Sequence, residues 1–122
     1  MRGAALSDLH LGFRAFAATE NGRNAREQDV ERAWAAAVDR IVSFDPDLVT
    51  VAGDVFHNTR PSFHAVRAWQ QGIDRIVRET AARIVIILGN HEAPRTAETL
   101  SPVIVVEGVP RVHVVTQPTC LL

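Results

Sequence analysis

The 122 residues suffice for one domain with one ordinary core, and a formal net charge of −1 excludes a global basic field for nucleic acid. The single cysteine, Cys120, excludes an internal disulfide and a thiolate metal cluster. No apolar run approaches membrane-spanning length, and Asp8 and His10 stand where a secretory signal needs an apolar core, so a cytoplasmic protein with no membrane partner is expected. All thirteen basic residues are arginine, which we read as compositional bias.

In chain order, Gly3 to Ser7 leads into Asp8-Leu9-His10, and 11–24 reads as a loop containing Gly12, Asn21 and Gly22. A helix is predicted from about Ala25, with Val30, Ala33, Trp34, Ala37, Val38, Ile41 and Val42 on one apolar stripe. Arg26, Glu27, Asp29, Arg32, Asp39 and Arg40 mostly occupy the rest of its surface, and Pro46 stops it. Leu48 to Ala52 has the uninterrupted character of a strand buried on both faces. A turn over 58–62 places Ser62 as N-cap of a second helix, whose stripe is Val66, Trp69, Ile73, Ile76 and Val77. Gly72 inside that helix suggests a close contact. Ile84 to Leu88 is a further buried strand, 97–107 is ambiguous between a short helix opened by Pro102 and a strand, and 111–116 reads as a strand. The order β-α-β-α-β-(α)-β predicts an α/β fold with a mainly parallel sheet flanked by helices.

Three of the apolar runs end in polar clusters: Asp8-Leu9-His10, Gly53-Asp54 and Gly89-Asn90-His91-Glu92. In a parallel sheet these clusters converge at the carboxyl edge, where open α/β sheets bind ligands. Singly each motif is weak, since a lone Gly-Asp often caps a helix and a lone histidine is more often core or surface. Together they form a donor set of carboxylate, imidazole and amide without sulfur, suited to manganese, iron or zinc. Asp54 has two oxygens with which to bridge two cations. Two divalent metals roughly 3.5–4 Å apart would clamp a phosphate and acidify a bound water, and His91, one position past a ligand, is placed to act as general acid.

Asp8-x-His10, Gly53-Asp54 and Gly89-Asn90-His91-Glu92 resemble the motifs of the calcineurin-like metallophosphoesterases, with Glu92 where the family usually has Asp. Within them, Asp8-Leu9-His10-Leu11-Gly12-Phe13-Arg14 and Gly53-Asp54-Val55-Phe56-His57, with Arg60-Pro61-Ser62 beyond, are most similar to the SbcD/Mre-type double-strand-break repair nucleases. The resemblance implies the first half of a four-layer α-β-β-α sandwich. It implies that Asp8 and His10 hold a first metal, Asp54 bridges, Asn90 holds a second, His91 assists catalysis and His57 directs the DNA end. Manganese, a nuclease homodimer and an SMC-like ATPase partner of the SbcC/Rad type also follow from the resemblance alone.

The family continues with an isolated histidine and a Gly-His-x-His motif, neither of which occurs before Leu122. His113, within an apolar strand, is read as a strand residue, and 1–122 as one metallophosphoesterase domain truncated before those motifs. The leading expectation is metal-dependent phosphodiester hydrolysis of DNA. The alternatives are a general metallophosphoesterase acting on nucleotides or phosphoproteins, and a non-catalytic truncated assembly module.

Overall fold

The computed structural model describes residues 1–15, 18–88 and 101–116. Its strands are β1 (Gly3–Ser7), β2 (Thr19–Glu20), β3 (Arg23–Asn24), β4 (Leu48–Ala52), β5 (Arg83–Ile87) and β6 (Val112–Val115). Helix α1 spans Ala25–Phe44, α2 spans Phe63–Glu79, and a short 3-10 helix covers Pro102–Val106. Strands β1, β4, β5 and β6 form one sheet in that order, every pairing parallel, as the alternation of elements predicts. Register runs Ser7↔Ala52 and Ala52↔Ile87, so the carboxyl ends of β1, β4 and β5 lie level.

One face of the sheet is core. Val49, Val51, Ile84 and Ile86 are fully buried in a single cluster with Trp34, Val38 and Ile41 of α1, Trp69, Ile73 and Ile76 of α2, and Val103 and Val106 of the 3-10 helix. The described residues therefore make two layers, helices over sheet, the α-β half expected from the resemblance. The expectation that Leu48–Ala52 is buried on both faces is corrected. Leu48 and Thr50 are half-buried and Ala52 exposed, while Ile87 on the same side of β5 is 47% exposed. An apolar strand sequence tolerates a second covering layer without showing that this chain provides one. His113 pairs with Val85 on that open face, inside a strand as read.

Local chemistry sets the element ends. Asn24 caps α1 by accepting from the Glu27 amide at 3.1 Å, and Asp45 closes it in a left-handed conformation just before Pro46. Ser62 caps α2 as predicted, its hydroxyl accepting from the Ala65 amide at 3.1 Å. Arg111 donates to the Thr80 and Ala82 carbonyls, and also to that of Val77, tying the end of α2 to the start of β6. The ambiguous 97–107 stretch resolves, in its described part, into the 3-10 helix with Pro102 in its first turn. Within the predicted loop 11–24, β2 and β3 form a hairpin turned by Asn21 and Gly22. Both have positive φ, as a type I′ turn requires. Among the described residues no helix is long and apolar enough to cross a membrane.

The two helices meet at Gly72. A Cβ there would lie 2.4 Å from the Trp34 indole, which is held in place by Nε1 donating to the Ala68 carbonyl at 2.8 Å and by the Trp69 ring 5.5 Å away. The close contact that Gly72 suggested is this one. Glu27 corrects another expectation: far from lying on the surface, it is 1% exposed. Its Oε1 accepts from Ser62 Oγ at 2.6 Å and its Oε2 from Arg14 Nε at 2.8 Å, with the Arg23 guanidinium 3.7 Å away. Burial pushes its carboxyl pKa up, but the hydrogen bonds from Ser62 and Arg14 and the charges of Arg14 and Arg23 outweigh this and hold it below the ordinary glutamate value.

Two predictions follow from this packing. Gly72→Ala gains about 1 kcal/mol of helix propensity but overpacks a pinned indole, a cost of about 1–3 kcal/mol. Urea unfolding should show a net loss of stability, and an unchanged or raised midpoint would contradict the contact. A carboxylate depressed in the folded state contributes stability that is complete above its unfolded pKa and lost as pH falls through its folded value. Glu27→Gln should therefore be less stable than the parent at neutral pH, with the gap narrowing below about pH 5. A gap that stays constant across urea titrations from neutral to acid pH would refute the assignment.

Candidate metal centre

The level strand ends become a site because the chain stays paired after the strands stop. The Asp8 amide donates to Gly53 O at 3.3 Å, His10 N to Asp54 O at 3.0 Å, Leu11 N to Val55 O at 2.8 Å, and His57 N to Leu11 O at 2.9 Å. Leu11, fully buried, bridges to Phe56 in parallel fashion. The two loops 8–14 and 54–62 thus run side by side across the sheet edge. Gly53, itself at φ +72°, donates to Ile87 O at 2.8 Å and ties the second loop to β5.

Asp8, His10 and Asp54 each offer one donor atom, and the three atoms lie within 4.8 Å of one another. His10 Nε2 is 3.9 Å from Asp8 Oδ1, while His10 Nδ1 is buried and has no hydrogen-bond partner among the described residues. All three residues adopt left-handed backbone conformations, with φ of 55°, 51° and 51°. Asp and His enter that region more readily than most side chains, but it still costs energy, and such strain concentrates at functional sites. Two carboxylates and an imidazole converging without sulfur fit a divalent cation of the manganese, iron or zinc group. Asp8 is largely exposed and His10 partly so, leaving the cluster open to a large phosphoester.

His57 stands beside the cluster without joining it. Its exposed ring lies 5.6 Å from that of His10 and meets Phe13 edge-on at 4.8 Å. The sequence thus predicted six residues, of which the described structure shows four: Asp8, His10 and Asp54 meet, and His57 flanks them. Asn90 and His91, expected as second-metal ligand and general acid, lie outside the described residues. Phe13 and Arg14 entered only as members of a motif, with no role given to either, and Glu27 only as a surface charge. For Glu27 the available signal was Asn24-x-x-Glu27, the spacing of an N-cap and the third helical residue, where a glutamate has a local structural role rather than a purely solvated one.

The chain is 30% identical over 97 residues to the DNA double-strand break repair protein Mre11 of Methanococcus maripaludis, covering 80% of this chain and 24% of that protein. It is 31% identical over 97 residues to the Mre11 of Methanocaldococcus jannaschii, covering 80% of this chain and 25% of that protein. The chain therefore spans about a quarter of the length of these relatives. The crystal structure of Pseudomonas putida nuclease MPE superposes with a TM-score of 0.55 over 98% of this chain and 50% of that one, a likeness of fold at 21% identity. The family model for calcineurin-like phosphoesterases matches residues 1–114, and the chain belongs to that family.

Proposed function

We propose that this chain carries part of the active site of a metal-dependent DNA nuclease of the double-strand-break repair type, hydrolysing phosphodiester bonds with two divalent cations, preferentially manganese. The observation that carries this reading is the convergence of Asp8, His10 and Asp54 at one sheet edge with His57 beside them. The Mre11 relatives, named as DNA double-strand break repair proteins, support it from outside the chain.

Asp8 and His10 would hold one cation, Asp54 would share its two carboxylate oxygens between both, and the Asn90 amide would serve the second. Bound there, the metal would supply charge stabilisation to the phosphate and make a water acidic enough to attack near neutral pH. His91 would donate a proton to the leaving oxygen. His57, outside the ligand set, would guide the DNA end. A homodimer and an SMC-like ATPase of the SbcC/Rad type complete the proposed assembly.

Asp54→Asn keeps shape and removes the bridging charge. It should weaken manganese binding by at least about tenfold, the lower end of what losing even an outer partner of a ligand costs. Calorimetry showing unchanged affinity would count against the shared carboxylate. The two histidines outside the proposed ligand set should separate by assay in the full-length protein. His91→Ala should depress every phosphodiester cleavage, whereas His57→Ser should keep metal and impair mainly degradation from duplex ends. Equal loss of exonuclease and endonuclease activity in both variants would overturn that division of labour.

A further inference from the structure

Glu27 is a buried carboxylate that no ligand role uses. It lies in the first turn of α1, yet its two oxygens are engaged by partners from two other segments, Ser62 at the end of the loop 54–62 and Arg14 at the end of the loop 8–14. Those are the loops that carry the candidate ligands. At their near ends the loops are joined by backbone hydrogen bonds through Leu11. At their far ends they are joined through Glu27.

We propose that Glu27 is a positioning residue: it clamps the far ends of the two site loops and, through Arg14 and Phe13, fixes the ring of His57. Were Glu27 needed only to dock α1 on α2, the bond to Ser62 would suffice. Arg14, 63% exposed along its side chain, nonetheless turns its Nε inward to a carboxylate that is 1% exposed. Holding Arg14 holds its neighbour Phe13, whose amide donates to His10 O at 3.1 Å and whose ring packs edge-on against His57. Ser62, accepting from Ala65 N while donating to Glu27, fixes the other end of the loop on which His57 rides. The functional weight of the clamp rests on the proposed role of His57, while its geometry stands apart from that role.

The test is nuclear magnetic resonance of the imidazoles in the isotope-labelled chain, without metal and then with manganese, for the parent, Glu27→Gln and Arg14→Gln. Gln has a single acceptor oxygen and cannot accept from Ser62 and Arg14 together, and Arg14→Gln alters a largely exposed side chain, so it stays informative even where Glu27→Gln fails to fold. In both variants the metal-free His57 C–H signals should lose the displacement caused by the Phe13 ring and move toward free-imidazole positions, while those of His113 on β6 stay put. With manganese, His10 should remain broadened and His57 should broaden less than in the parent. His57 signals that superimpose on the parent's in every folded variant would overturn the clamp, as would His57 and His113 moving alike, the mark of general loosening. A parent chain whose His10 is not broadened by manganese would instead count against the proposed function, and the metal-free spectra would still decide the clamp.

Discussion

The parallel, in-register pairing of β1 with β4 is the constraint on which the rest depends. With Ser7 opposite Ala52, the residues that follow leave the sheet side by side, and Asp8 and Asp54 emerge as neighbours although 46 positions separate them in sequence. A slip of one residue would send every alternate side chain to the opposite face, driving Val49 and Val51 out of the core. The burial of those valines against Trp34, Trp69 and Ile73 therefore fixes the site as firmly as it fixes the core. Packing and chemistry are set by the same register.

Beyond the strands, the backbone pays for the convergence with three residues in the left-handed region. What holds them there is the ladder of amide bonds from Asp8, His10 and Leu11 to the carbonyls of Gly53, Asp54 and Val55. Each such bond contributes roughly 1 kcal/mol net, comparable to the strain it opposes. The donors are thus presented in place by the main chain before any ligand arrives. That is pre-organisation of the kind a charged substrate needs, since little reordering is left to oppose binding.

Much of this was legible in the sequence, and the rest was hidden for definite reasons. Short apolar runs closed by glycine or by polar clusters marked β4 and β5, and the shared Asp, His and Asn endings marked the sheet edge. The Asn21-Gly22 turn was present in plain sight, yet strands of two residues each carry too little pattern to separate from a loop. Glu27 was misplaced because charge is ordinarily a surface signal, and only the approach of Arg14 and Ser62 from distant segments makes its burial tolerable. The open face of β4 was misread because Leu48, Thr50 and Ala52 are as compatible with a covering layer as with partial exposure. The left-handed backbone at Asp8, His10 and Asp54 left no sequence trace beyond the residues being Asp and His.

The strand order of the sheet follows the order of the chain: β1, β4, β5, β6, each laid against the previous edge. Each new strand finds its partner already present, separated by one crossover, so no segment must wait for a later one before it can pair. The growing edge advances in the direction of synthesis, and parallel pairing, usually slow because its contacts are distant, is divided into short consecutive closures. On a ribosome that releases the N-terminus first, β1, α1 and β4 can dock before β5 exists. The loops bearing Asp8, His10 and Asp54 would then be brought together before β5 and β6 are made, and the candidate site would take its shape ahead of the strands that complete the sheet.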